Sequence, residues 1–156
     1  MIDLAAVQNL LAGWWFDYDQ ANFAVWPGYF TADTHFGCHS DSGRAPYEDF
    51  IRADVTGRDE VVAWHVDHRN NSPYPLRHNS TNVHVAASRP GEADFRSYIF
   101  VTQIVGGAVS NLSTGLCLGT VRDEGGSVRL AELQVVLDTT DSETLSAVEP
   151  HPRAGA

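Results

Sequence analysis

The chain has 156 residues, 43% of them hydrophobic and 19% charged, with a formal net charge of −10. That size is most simply one domain, long enough to bury about two-thirds of its unfolded surface. The acidic balance argues against a nucleic-acid or anionic-membrane partner, both of which need a basic face. All 10 cationic residues are arginines, so Schiff-base chemistry on a lysine is excluded.

Leu4, Val7, Leu11, Trp14, Trp15 and Tyr18 recur at helical spacing, which predicts a helix over 3–19 with one apolar stripe. A short second helix is expected from Phe23 to Phe30, ended early by Pro27 and Gly28. Alternation predicts a strand over 34–39, and Gly43 and Pro46 mark 41–54 as a loop. Residues 58–69 read as a third helix, with Val61, Val62 and His65 on related faces.

Beyond Pro75 the pattern changes to four strand-like stretches, 76–87, 95–105, 110–121 and 127–137. Turn signals separate them: Arg89-Pro90-Gly91, Gly106-Gly107 and Glu124-Gly125-Gly126. Helices first and a long meander after them predict an α+β fold, with helices packed on one curved antiparallel sheet. The domain is expected over 1–140, with 141–156 as a flexible tail rich in terminal Pro and Gly.

Cys38 and Cys117 show no metal-ligand spacing and are too few for a disulfide framework. No apolar run approaches the roughly 20 residues of a membrane span. The N-terminus carries acid where a signal peptide carries basic charge. The expectation is a cytoplasmic protein with reduced thiols, in which the N-x-S/T triplets at Asn70, Asn79 and Asn111 are accidental.

Three stretches carry a family resemblance: FDYDQANFAVWPGYFTADTHF, LRHNSTNVHV and LAELQVVLDT. With the element order, they resemble the SnoaL-like branch of the nuclear-transport-factor-2-like superfamily. That branch includes scytalone dehydratase, polyketide cyclases and the small subunits of aromatic-ring-hydroxylating dioxygenases. The resemblance implies a cone: a strongly curved mixed or antiparallel sheet wrapped around the N-terminal helices and enclosing a cavity. It also implies a homodimer or homotrimer joined through the outer face of the sheet.

By the same resemblance, Tyr18 and Asp19 match a cavity-facing Tyr-Asp pair of scytalone dehydratase, and His78 matches its catalytic histidine. A histidine can take and return a proton near neutral pH. A carboxylate beside it fixes its tautomer, and a phenol can hold a carbonyl or enolate oxygen. The chain also departs from the pattern. The segment NLSTGLCLG has no counterpart of the second histidine on a later strand, and His39 stands near a family tyrosine as a candidate second acid.

Each residue has a plainer alternative. Asp19 can be an exposed helix-end residue or a cap, and Tyr18 a core residue with a bonded hydroxyl. His78, Ser80, Asn82 and His84 share one face of a regular strand, which for His84 reads as a polar outer face. Trp14, Trp15, Trp26, Phe30 and Phe36 are either large core residues or pocket walls. Trp14, one turn before Tyr18, is the favoured wall residue, with Phe30 beside it and Asn82, Asn111 and Ser113 as candidate polar contacts. Cys38 and His39 are strand neighbours on opposite faces and make no thiolate–imidazolium pair.

No metal site is expected. His35 and His39 on one strand lie about 13 Å apart, too far to share an ion. His65 and His68 on a helix could share one with Asp67, but such a pair more commonly faces solvent. The expected function is a cofactor-independent dehydratase, isomerase or cyclase acting on a hydrophobic oxygenated molecule such as a polyketide or aromatic intermediate. In it His78 is base and acid, Asp19 its orienting partner and Tyr18 the oxygen contact. The alternatives are a non-catalytic small subunit of a ring-hydroxylating oxygenase, or a module that binds a hydrophobic ligand unchanged.

Overall fold

The computed structural model describes residues 1–148. Helix α1, Leu4–Asp19, starts where the Asp3 carboxylate accepts the Ala6 backbone N–H at 2.8 Å. That satisfies one of the first-turn donors that a helix leaves unpaired. The stripe is buried through Val7, Leu11, Trp14, Trp15 and Tyr18, while Leu4 lies off it and is exposed. A 3₁₀ helix, Phe23–Tyr29, continues through Pro27 instead of ending there. The fixed φ of proline fits a 3₁₀ turn, so only its missing N–H is lost.

Strand β1, Phe30–Ser40, begins earlier than alternation predicts, because Phe30 and Thr31 are both buried and mask the period. The predicted loop over 41–54 holds two unforeseen elements, a single helical turn α2, Glu48–Ile51, and strand β2, Ala53–Thr56. Four residues are too few to show a period. Glu48 anchors this segment. Its buried carboxylate accepts the Ser40 backbone N–H at 3.2 Å and the Ser40 hydroxyl, and pairs with Arg52 at 3.2 Å.

Helix α3, Arg58–Asn70, precedes four long strands: β3, Leu76–Arg89; β4, Glu92–Val105; β5, Ala108–Glu124; and β6, Ser127–Leu137. The sheet order is β2-β1-β6-β5-β4-β3, antiparallel throughout except where β1 runs parallel to β6. The predicted meander is present, within one open six-stranded mixed sheet. At Gly119 a Cβ would lie 2.1 Å from the Glu132 carbonyl oxygen. Only glycine permits that approach of β5 to β6.

Phe95, Ile99, Leu130 and Leu133 form the sheet's side of the core, with α1 packed across β3 and α3 across β1. Beyond β6, the Asp41 carboxylate accepts the Thr139 N–H at 3.0 Å and its hydroxyl at 2.7 Å. Of the predicted tail, 141–148 carry neither helix nor strand, and 149–156 lie outside the described residues. No helix among the described residues is long and apolar enough to cross a membrane.

Candidate active site

The end of α1 is fixed by a buried cation. Arg69 of α3, 4% exposed, donates to the Tyr18 carbonyl at 3.1 Å, the Asp19 carbonyl at 2.9 Å and the Pro73 carbonyl at 3.1 Å. A helix cannot satisfy its last carbonyls internally, and a cation there also meets the negative end of the dipole. Arg69 thereby sets where the Tyr18 and Asp19 side chains leave the helix.

Asp19 grips the start of β3 twice. Its Oδ1 lies 2.6 Å from His78 Nδ1, and its Oδ2 accepts the His78 backbone N–H at 2.8 Å. The side chains are 5% and 11% exposed. An ionised carboxylate can only accept here, so a ring proton sits on Nδ1, and in the neutral imidazole Nε2 is the nitrogen that keeps the lone pair. Trp15 stacks on the imidazole at 4.7 Å and 8°, and Tyr18 meets it edge-on at 5.2 Å and 89°. The ring is thus held by one hydrogen bond and two aromatic contacts.

Trp15, Tyr18 and His78 line a cavity of about 250 Å³. Trp15, Phe36, Tyr47, Phe50 and Trp64 supply aromatic walls, and Ile99 and Val101 present the sheet. Its polar groups include Tyr18, His65, His68, Ser72, His78 and Ser113. The Tyr18 hydroxyl lies 2.5 Å from His68 Nδ1. Burial pushes the Tyr18 phenol well above its ordinary range. It pulls His68 down to about 4, with the Arg69 guanidinium acting in the same direction. His65 is pulled down to about 3, again chiefly by burial, and its Nδ1–H donates to the Val61 carbonyl at 2.8 Å. At neutral pH the phenol and both helical histidines are uncharged.

The structure brings Tyr18, Asp19 and His78 together and separates the other candidates from them. His39 is exposed, because Cys38 takes the cavity face of β1 and its neighbour must point the other way. Trp14 is fully buried among Tyr18, Trp26, Phe30 and His65 and makes no part of the wall; Trp15 takes that place. Phe30 is likewise core, and Phe36 is the β1 aromatic in the cavity.

Asn82 is exposed at a bulge between Thr81 and His84, with φ 54°, so β3 does not keep one face from His78 to His84. Asn111 is exposed too. A register shift at Val101/Thr102 leaves Ser113, not Asn111, lining the cavity. His65 and His68 face inward, contrary to the solvent-facing expectation. The available signal was Val61, four residues before His65 and on its helix face. Tyr47 and Phe50 were hidden in the segment that reads as loop.

A SnoaL-like domain model matches residues 1–134. The chain belongs to the SnoaL-like family. Its fold also matches solved structures. ActVI-ORFA from Streptomyces coelicolor is 18% identical, with 85% of this chain and 95% of that one covered and a TM-score of 0.68. A protein from Novosphingobium aromaticivorans assigned as a scytalone dehydratase is 15% identical, with 96% and 93% covered and a TM-score of 0.69. The beta subunit of benzoate 1,2-dioxygenase from Burkholderia mallei is 19% identical, with 96% and 97% covered and a TM-score of 0.66. At such identities the likeness is one of fold. No curated protein matches the chain.

Proposed function

We propose that this SnoaL-like protein is a cofactor-independent acid–base enzyme. It acts as a dehydratase, isomerase or cyclase on a hydrophobic oxygenated molecule such as a polyketide or aromatic intermediate. The observation that carries the proposal is the double grip of Asp19 on His78 inside an aromatic cavity. His78 Nε2 takes a proton from carbon next to a carbonyl, Asp19 stabilises the imidazolium formed, and the proton is later returned. Tyr18 contacts a substrate oxygen away from the reacting carbonyl, such as a ring hydroxyl. Loss of water, a double-bond shift or ring closure can each follow from the enolate.

A purely supporting subunit of an oxygenase has no need of a histidine clamped by a buried carboxylate in an aromatic cavity. That favours the enzyme. The test is deuterium incorporation next to the carbonyl of a ring-hydroxylated α-tetralone in deuterated buffer. The wild-type protein should accelerate it, and His78→Ala should lower the rate by about 10²–10⁴-fold. An unchanged rate in His78→Ala would remove His78 from the chemistry.

The protein is also proposed to form a homodimer or homotrimer through the outer face of the sheet, where Tyr98 and Phe100 of β4 are exposed. Sedimentation equilibrium should give two or three chains per particle; a monomer at micromolar concentration contradicts this.

A further inference from the structure

Tyr18 and His68 form a second polar pair in the cavity, distinct from His78 and Asp19. The phenol oxygen lies 2.5 Å from His68 Nδ1. The His68 ring is held between Phe50, at 4.4 Å and 26°, and Trp64, at 4.7 Å and 14°. The two stacks fix the plane of the ring, and the 2.5 Å contact with the phenol fixes which edge faces Tyr18. Ser72 is a poor competitor for Nδ1, since its hydroxyl donates to the His68 carbonyl at 2.6 Å and stands 3.5 Å from the ring nitrogen.

A neutral imidazole donates from one nitrogen and accepts at the other. Two arrangements of the pair are therefore conceivable. A phenol donating to an imidazole nitrogen joins the more acidic proton to the more basic acceptor. The reverse joins a weak N–H donor to a weakly basic phenol oxygen. The first wins. The Tyr18 proton is then committed to Nδ1, and only lone pairs remain on its oxygen for a ligand.

We propose that His68 is a positioning residue that makes Tyr18 an acceptor, so that the cavity selects a fused-ring ligand carrying a phenol or enol hydroxyl at that point over one carrying a carbonyl. The size fits. A cavity of about 150 Å³ holds benzene, and this one, at about 250 Å³, has room for a second ring. Trp15, Phe36 and Trp64 are among the aromatic residues that line it. The inference rests on the reading of the cavity as a small-molecule site, and not on proton transfer by His78.

Binding of β-naphthol and β-tetralone at pH 7, to the wild-type protein and to His68→Phe, tests this by calorimetry. The two probes share a ring frame and differ in whether the oxygen donates. The wild-type protein should bind the naphthol about tenfold more tightly, the worth of one hydrogen bond. In His68→Phe the Tyr18 proton is free to reach a carbonyl, and the preference should fall to about twofold. An equal preference in both proteins, a wild-type preference for the ketone, or failure of both probes to bind overturns the proposal.

Long-range ¹H–¹⁵N spectra of the wild-type protein test it without a variant. His68 should carry its proton on Nε2 at pH 7; a proton on Nδ1 overturns the assignment. Deuterium exchange that depends on His78 while the ligand preference is absent would defeat this inference alone. The preference without exchange would defeat only the acid–base reading.

Discussion

Both oxygens of the Asp19 carboxylate are used on one residue: Oδ1 on the His78 ring at 2.6 Å and Oδ2 on the His78 backbone N–H at 2.8 Å. The end of α1 and the start of β3 are thus locked together at the imidazole whose other nitrogen, Nε2, would carry the acid–base chemistry. The grip predicts a single tautomer. In ¹H–¹⁵N spectra at pH 7, neutral His78 should be protonated on Nδ1 in the wild-type protein and show mixed tautomers in Asp19→Ala. A dominant Nε2–H form in the wild type would contradict it.

Stability should fall as pH drops below about 6.5. His65 and His68 sit near 3 and 4 in the folded chain, under the ordinary value of about 6.5. Unfolding therefore takes up protons that the folded state refuses, and stability is complete only above about 6.5. Below it, each histidine costs up to about 1.4 kcal/mol per pH unit until its folded value is reached. Easing of the acidic self-repulsion acts the other way, so the comparison is with His68→Phe. Its urea midpoint should fall less between pH 7 and pH 5 than that of the wild type; equal falls would mean that His68 is not buried uncharged.

Arg69→Met should destabilise the fold. The Tyr18 carbonyl keeps the Ala21 N–H at 3.0 Å, but the Asp19 and Pro73 carbonyls that the guanidinium satisfies lose their partner, at a cost of about 3 kcal/mol. Urea denaturation measures it. A change below about 1 kcal/mol would show that water or neighbouring donors replace the cation.

The two adjacent tryptophans should separate stability from binding. Trp14→Ala empties a fully buried position and should cost about 3–5 kcal/mol. Trp15→Leu removes the ring stacked on His78 and should weaken β-naphthol binding several-fold at a smaller cost in stability. Exposed His39, Asn82 and Asn111 should each tolerate alanine, with naphthol affinity within about twofold. A tenfold loss at any of the three would place that residue in the site after all.

The long elements were legible because each repeats its period several times: 3.6 along α1 and α3, and 2 along the four late strands. The turns announced themselves too; Gly91 at φ 77° closes β3 to β4 where Arg89-Pro90-Gly91 predicts. What was not legible depends on single-residue events. The bulge at Asn82 and the shift beside Thr102 reverse which face follows, and neither residue type forces them. Tyr47 and Phe50 reach the cavity only because the buried carboxylate of Glu48 folds their segment back on Ser40. Trp14 and Trp15 are chemically identical in the sequence, and helix rotation alone decides between core and wall. The Tyr18, Asp19 and His78 trio was found by resemblance, and the His68 contact to Tyr18 by no sequence signal except helical spacing.

The central claim is that His78 and Asp19 act as one unit on a substrate proton. Deuterium exchange into a ring-hydroxylated α-tetralone by the wild type, Asp19→Ala, His78→Ala and the double variant measures this directly. Residues that work as a unit are not additive. The double variant should exchange no more slowly than His78→Ala alone, and Asp19→Ala should lose about 10²-fold or more. Equal rates in all four proteins, or two independent losses that multiply in the double variant, would contradict the account.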